Sequence, residues 1–322
     1  MEQILIIQTA YIGDAILATA LVESIRATLK DAEIDFVVRK GNEGLLTNHP
    51  EIRKVFVWDK KNGKYKNLNK LIREIRQTEY DALFNLQRYA SSGYISWRAK
   101  ARFKAGYAQN PLSFCYSTKV QHEMQSGRHE VERNLEVLNS WSKADFELKK
   151  PKLYPSKEDY QHVSAYQEEE YYVMAPSSVW FTKQLPKHKW IELIQKKYSD
   201  KKIYLIGGGG DQEKLEEIRL ESESNKVINL AGQLNLLQST ALIDGAQRTF
   251  VNDSAPLHLA SACNAPVTAF FCSTIPQFGF GPLSDDNQIK EATVQVHCRP
   301  CGLHGQKSCP KGHFRCANEI DL

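Results

Sequence analysis

Apolar positions along the chain follow two rhythms. Short runs dense in Ile, Val, Leu, Phe and Tyr alternate with stretches in which apolar residues return every three or four positions. This is the pattern of parallel strands joined by crossover helices. In the first half the runs predict strands at Ile4–Gln8, Ile34–Arg39, Val55–Trp58, Ala82–Leu86 and Phe103–Tyr107. In the second half they predict strands at Tyr171–Ala175, Ile203–Gly207, Val227–Leu230, Thr249–Asn252 and Val267–Phe271. Between the two sets, Lys149 to Glu170 carries Pro151, Pro155 and many charged residues, with no sustained strand pattern. The expected fold class is α/β: two Rossmann-like doubly wound domains, residues 1–160 and 161–322, facing each other across a cleft. Ligands are expected outside the carboxyl ends of the strands.

Composition changes this picture little. A chain of 322 residues is long enough for two cores, and 42% hydrophobic with 25% charged residues describes an ordinary globular protein. The net charge of +4 is too mild to argue for nucleic acid, which needs basic charge gathered on one face. The apolar segments Ile4–Ile7 and Ile16–Val22 do not form a signal peptide. Glu2 stands where a positive region belongs, Gly13-Asp14 interrupts the run, and no stretch of membrane length follows. A cytoplasmic location is therefore expected.

Candidate chemistry gathers in the loops after predicted strands. The first strand passes through Thr9-Ala10-Tyr11-Ile12-Gly13-Asp14 into a helix with Leu17, Leu21, Ile25 and Leu29 at helical spacing. Asp14 at the helix start either complements the helix dipole or takes a proton from an acceptor hydroxyl. There is no Gly-x-Gly-x-x-Gly here, which argues against a dinucleotide-dependent dehydrogenase.

In the second half, Ser177, Ser178, Thr182 and Lys183 share one loop ahead of Pro186 and Trp190, with hydroxyls and a point charge suited to a diphosphate. Gly207 to Gly210 could admit a base and ribose, with Asp211 or Glu213 to accept from ribose hydroxyls. Asp253-Ser254-Ala255-Pro256-Leu257-His258 opens a helix whose free amides at Ser254 and Ala255 form an anion site. His258 there faces either the anion or the core.

Ile4 to Leu21 with its Gly-Asp, Lys183 in Thr-Lys-Gln-Leu-Pro followed by Trp190, and Asn252-Asp253-Ser254-x-Pro256-x-His258 together resemble the ADP-heptose:lipopolysaccharide heptosyltransferases, glycosyltransferase family 9. The C-terminal cysteine pattern looks like that of the second such enzyme in the core pathway. The resemblance implies a GT-B fold, an ADP-sugar donor on the second domain, and a lipopolysaccharide-core acceptor on the first. Carried over by position, Asp14 would be the general base of an inverting transfer. Lys183 and Ser178 would hold the diphosphate, Asp253 the sugar hydroxyls, and Ser254, Ala255 and His258 would complete the phosphate site. Gln8 stands where the family usually has Arg, and Ala255 where it usually has Gly. No catalytic metal or cofactor is expected, because fixed donors aimed at the leaving group can replace a divalent ion.

Three further readings remain. Cys298, Cys301, Cys309 and Cys316, with His304 and His313 nearby, are expected to brace the end of the second domain outside the cleft motifs, as structural zinc ligands, reduced thiols or bridges. The basic run Lys60, Lys61, Lys64, Lys66, Lys70, Arg73 and Arg76 is either a solvated helix face or a contact for an anionic acceptor or the inner face of the inner membrane. The competing functions are another nucleotide-sugar donor or envelope acceptor, and a non-enzymatic nucleotide-binding or zinc-ribbon adaptor.

Overall fold

The computed structural model describes residues 1–322. Contacts divide the chain into two compact units, Met1–Tyr154 and Pro155–Leu322. The first unit runs β1 (Gln3–Ile7), α1 (Ile12–Thr28), β2 (Glu33–Arg39), β3 (Ile52–Trp58), α2 (Lys64–Ile75), β4 (Tyr80–Asn85), α3 (Ala90–Arg98), β5 (Ala101–Tyr107), β6 (Thr118–Val120) and α4 (Glu130–Asn139). Its six strands are all parallel, in the order β3-β2-β1-β4-β5-β6. Ile4 to Ile7 are wholly buried, as a central strand covered on both faces must be. α1 is buried from Ala15 through Val22, so its apolar residues are not confined to one stripe.

The second unit runs α5 (Lys157–Val163), β7 (Tyr171–Ala175), α6 (Lys187–Lys197), β8 (Lys202–Leu205), α7 (Gln212–Glu221), β9 (Val227–Asn229), α8 (Leu236–Asp244), β10 (Arg248–Asn252), α9 (Ala255–Cys263), β11 (Val267–Phe270), β12 (Asn287–Lys290) and α10 (Arg315–Asn318). Its sheet, again wholly parallel, is ordered β12-β11-β10-β7-β8-β9. One core cluster joins Met174 of β7, Trp190 and Ile194 of α6 and Ile203 and Leu205 of β8 to Ala317 and Ile320 of the tail. Trp190 is wholly buried and its indole N–H donates to the Leu185 carbonyl at 3.1 Å, pinning α6 beneath the loop that precedes it. Truncating such a tryptophan to alanine costs about 3–5 kcal/mol.

All ten predicted strands are present, within a few residues at their ends. Elements that were not foreseen include β6, β12 and α5. β6 is three residues long, and β12 is mostly exposed at the sheet edge, so neither carries an apolar run. α5 lies in the charged stretch between the two sets of strands, where no strand pattern was found. Its start is fixed by Ser156 and Asp159, whose side chains satisfy each other's backbone amides. No helix is long and apolar enough to cross a membrane.

Candidate active site

In the first unit the loop leaving β1 is held from beneath by neutral amides. Gln8 is wholly buried; its side-chain carbonyl accepts from the Ala10 amide at 3.2 Å and from the Gln87 side chain, while its NH2 donates to the Leu86 carbonyl at 3.4 Å. Asn42 donates to the Ala10 carbonyl at 3.1 Å, and Lys60 Nζ to the Thr9 carbonyl at 2.6 Å. Lys60 thus turns inward, away from the rest of the basic run. Its ammonium is pushed down to about 8, by burial first and then by the charges of Arg39 and Lys64. The rest of the run, Lys61, Lys64, Lys66, Lys70, Arg73 and Arg76, is exposed, which fits both a solvated face and a contact surface. The loop delivers the partly exposed Asp14 to the first turn of α1, at the carboxyl end of the central strand.

The second unit brings most of its predicted residues to one end of its sheet. Asn252 closes β10, and its side chain fixes the loop after β7. Its carbonyl oxygen accepts from the Leu185 amide at 2.8 Å, and its NH2 donates to the Pro176 carbonyl at 2.8 Å. The same loop makes a short turn at Phe181–Lys183. Lys183 Nζ reaches Asp253 Oδ2 at 2.6 Å, and Thr274, following β11, donates to that oxygen at 2.6 Å. Asp253 is only 5% exposed, so the pair is largely withdrawn from water. An opposite charge at this distance compensates a buried ammonium, although it does so only at the cost of desolvating both groups.

Beside the pair, α9 begins at Ser254. The Ser254 side chain does not cap the helix, and Pro256 sits in the first turn. The positive end of the helix dipole is therefore not capped by the Ser254 hydroxyl. Ala255 is the first helical residue, and His258 is buried in the next turn with its ring 6.4 Å from Phe280. Ser178 contributes its carbonyl, which accepts from Gln184 at 2.6 Å, while the hydroxyl oxygen of the neighbouring Ser177 is buried with no hydrogen-bond partner.

Asp211 Oδ2 accepts from the Gly208 amide at 2.8 Å, so this carboxylate also fastens its own glycine loop. That loop is tight for a second reason. Gly232, with φ of +74°, lies so close that a Cβ would stand 2.8 Å from the Gly209 Cα.

The cysteine segment was expected to lie outside these motifs, and the structure corrects this. Gln306 donates its amide to Thr182 Oγ1 at 2.8 Å and accepts from the Thr182 amide at 3.1 Å. Arg299 donates to the carbonyls of Cys272 at 2.7 Å, Phe271 at 3.1 Å and Thr274 at 2.7 Å, fastening the segment to the end of β11. Sequence spacing could not reveal contacts spanning more than a hundred residues.

Cys298 Sγ stands 3.8 Å from His313 Nε2, and the Cys301 thiol donates to the Cys298 carbonyl at 3.1 Å. Burial, then the neighbouring Cys301, Cys309 and Cys298, pushes the Cys316 thiol up to about 11, against the opposing charge of Arg299. All four are free thiols, and no three His, Cys, Asp or Glu side chains are set out to hold a metal ion.

The sequence profile of glycosyltransferase family 9 (heptosyltransferase) matches residues 68–310, most of the chain. The chain belongs to this family. It is accordingly a glycosyltransferase. Lipopolysaccharide heptosyltransferase 3 of Escherichia coli K12 is 27% identical over 282 residues, covering 82% of this chain and 80% of that protein. Among solved structures, a glycosyltransferase family 9 protein of Veillonella parvula superposes with a TM-score of 0.83 at 20% identity, over 92% of this chain and 88% of that one. The E. coli ADP-heptose lipopolysaccharide heptosyltransferase II superposes with a TM-score of 0.77 at 20% identity, over 93% and 95%. The fold is the GT-B fold of these enzymes.

Proposed function

We propose that this chain transfers heptose from ADP-heptose to the inner core of lipopolysaccharide, with inversion at the anomeric carbon. The observation that carries the reading is the 2.6 Å Lys183–Asp253 pair beside the uncapped start of α9. A cation and a helix N-terminus at one place suit a leaving diphosphate. Family membership supplies the sugar-transfer chemistry, and the E. coli relatives named above act in lipopolysaccharide synthesis.

In this reading the acceptor oxygen attacks the anomeric carbon from the face opposite the diphosphate. The bond to the diphosphate breaks, and its electron pair leaves with ADP. Asp14 takes the acceptor's proton. Lys183 and the amides of Ser254 and Ala255 meet the negative charge that grows on the leaving group, and Ser178 and His258 line the same site. Asp253 has two tasks: it holds Lys183 before the donor arrives and then shares that ammonium with the diphosphate while accepting from sugar hydroxyls. Asp211 shapes the glycine loop that receives the nucleoside.

No metal or cofactor takes part in this scheme. In this reading the four C-terminal cysteines are reduced thiols; their free state and the lack of a group of three His, Cys, Asp or Glu side chains suited to a metal ion support it. Protein purified without chelator or nickel should carry less than about a tenth of an equivalent of zinc; a full equivalent would assign the thiols to a structural site. The enzyme works in the cytoplasm, where the exposed basic residues of α2 suit an anionic acceptor or the inner-leaflet surface. Turnover of a panel of ADP-, GDP- and UDP-sugars with deacylated lipopolysaccharide core tests the function. Turnover of ADP-heptose alone is expected; preference for a GDP- or UDP-sugar would replace the donor, and no turnover of any would remove the reading.

A further inference from the structure

Two segments distant in sequence close on the turn that carries Lys183. From one side comes Ser273, just beyond β11; from the other comes the loop ending at Gln306. Thr182 sits between them, 1% exposed, and its hydroxyl oxygen accepts from Gln306 N–H at 2.8 Å and from the Ser273 hydroxyl at 2.9 Å. Its backbone is bonded on both sides as well, donating to the Gln306 carbonyl at 3.1 Å and accepting from the Ser273 amide at 3.2 Å. Cys301 completes the junction by donating its amide to the Ser273 carbonyl at 3.0 Å.

Gly305 lies against the lysine itself. A Cβ at this position would stand 2.8 Å from Lys183 Cγ, 3.1 Å from Trp180 Cβ and 3.2 Å from Thr182 Oγ1, and its φ of +77° is one that other residues adopt at a cost. The lysine stem therefore runs directly over a backbone that has no side chain. A lysine has considerable rotamer freedom to lose when its ammonium is fixed. A wall that confines the stem restricts those rotamers before any ligand arrives.

We propose that the cysteine-bearing loop Cys298–Gln306 positions the donor-side lysine, with Thr182 and Gly305 as the positioning residues through which it acts. The inference rests on the reading of Lys183 as the diphosphate ligand. A methyl group at Gly305 displaces the stem and swings the ammonium away from Asp253 and from the start of α9. A valine at Thr182 keeps the shape but strands the buried Ser273 hydroxyl and the Gln306 amide, whereas a serine keeps the acceptor.

The test is a double-mutant cycle on donor KM, acceptor KM and kcat, with thermal unfolding of each variant as the check on folding. Gly305→Ala is expected to raise donor KM roughly 5–50-fold, with acceptor KM within twofold. Made in a Lys183→Ala background, it should add less than twofold, because a residue acting through Lys183 has nothing left to act on. Thr182→Ser should stay within about threefold of wild type, and Thr182→Val should follow Gly305→Ala. A Gly305→Ala donor KM within twofold of wild type overturns the proposal, as does an equal rise in acceptor KM or an undiminished effect without Lys183. If Lys183→Ala itself leaves donor KM unchanged, the reading of the lysine fails first, and the positioning role falls with it.

Discussion

The two units of this chain share one strand plan and support their functional loops in different ways. In each sheet the unit's own first strand lies near the centre, the next two extend to one edge and the last three to the other. In the first unit the loop after that strand rests on side-chain amides and one lysine, from Gln8, Gln87, Asn42 and Lys60, all within the same sheet's surroundings. In the second, the corresponding loop is pinned by Asn252 of β10, by the turn after β11 and by the chain's last segment. The difference follows from what each loop presents. A single carboxylate needs only a defined start to its helix, whereas a mobile ammonium held against a buried acid needs fixed partners on several sides.

If Asp14 is the base, Asp14→Asn should cut turnover by roughly 10²–10⁴-fold while leaving donor affinity and thermal stability near wild type. Turnover within a factor of a few of wild type would strip the first unit of its catalytic part and leave it a scaffold.

The first unit also holds a buried histidine that should make it acid-sensitive. His49 is buried with its ring 4.7 Å from Tyr154, and burial, then the charge of Lys152, pushes its pKa down to about 4. Between about pH 6.5 and 4 the unfolded chain binds a proton that the folded chain refuses, so stability is lost as pH falls through this window. The loss reaches at most about 3 kcal/mol. A profile of Tm against pH should show this acid limb in wild type and a shallower one in His49→Gln; identical slopes would place the sensitivity elsewhere.

On the donor side, Lys183→Ala is expected to raise donor KM roughly 10–100-fold, as loss of a charge-assisted contact does, and to leave acceptor KM within twofold. Equal effects on both substrates would dissolve the division of labour between the units.

The smallest effect is expected from the exposed basic residues of α2 and from Lys61 just before it. Neutralising Lys61, Lys64, Lys66 and Lys70 to Gln should weaken binding to anionic vesicles severalfold at low salt, with donor KM unchanged. Vesicle binding and acceptor KM that both stay at wild-type values would identify a merely solvated helix face.

Much of this was legible in the chain. Buried parallel strands announce themselves as apolar runs because both faces are covered, which is why Ile4–Ile7 and Tyr171–Ala175 are plain in the sequence. Pro256 and the Asn252-Asp253-Ser254 run likewise marked a helix start at the end of a strand. The same local rules missed α5, where a capping box outweighs a polar composition, and β12, which pairs at an edge with little apolar burial.

The sequence by itself determined the strand and helix rhythm, the two-unit plan, the loops that carry Asp14, Lys183 and Asp253, and the resemblance that names the chemistry. These depend on residues close together along the chain, where periodicity and capping act. Only the tertiary structure decided that Lys183 pairs with Asp253 and that the tail reaches Thr182 and Gly305. Those outcomes join residues separated by 70 to 124 positions in the case of the ion pair and the tail, and the packing that selects such partners exists only once the sheet has formed.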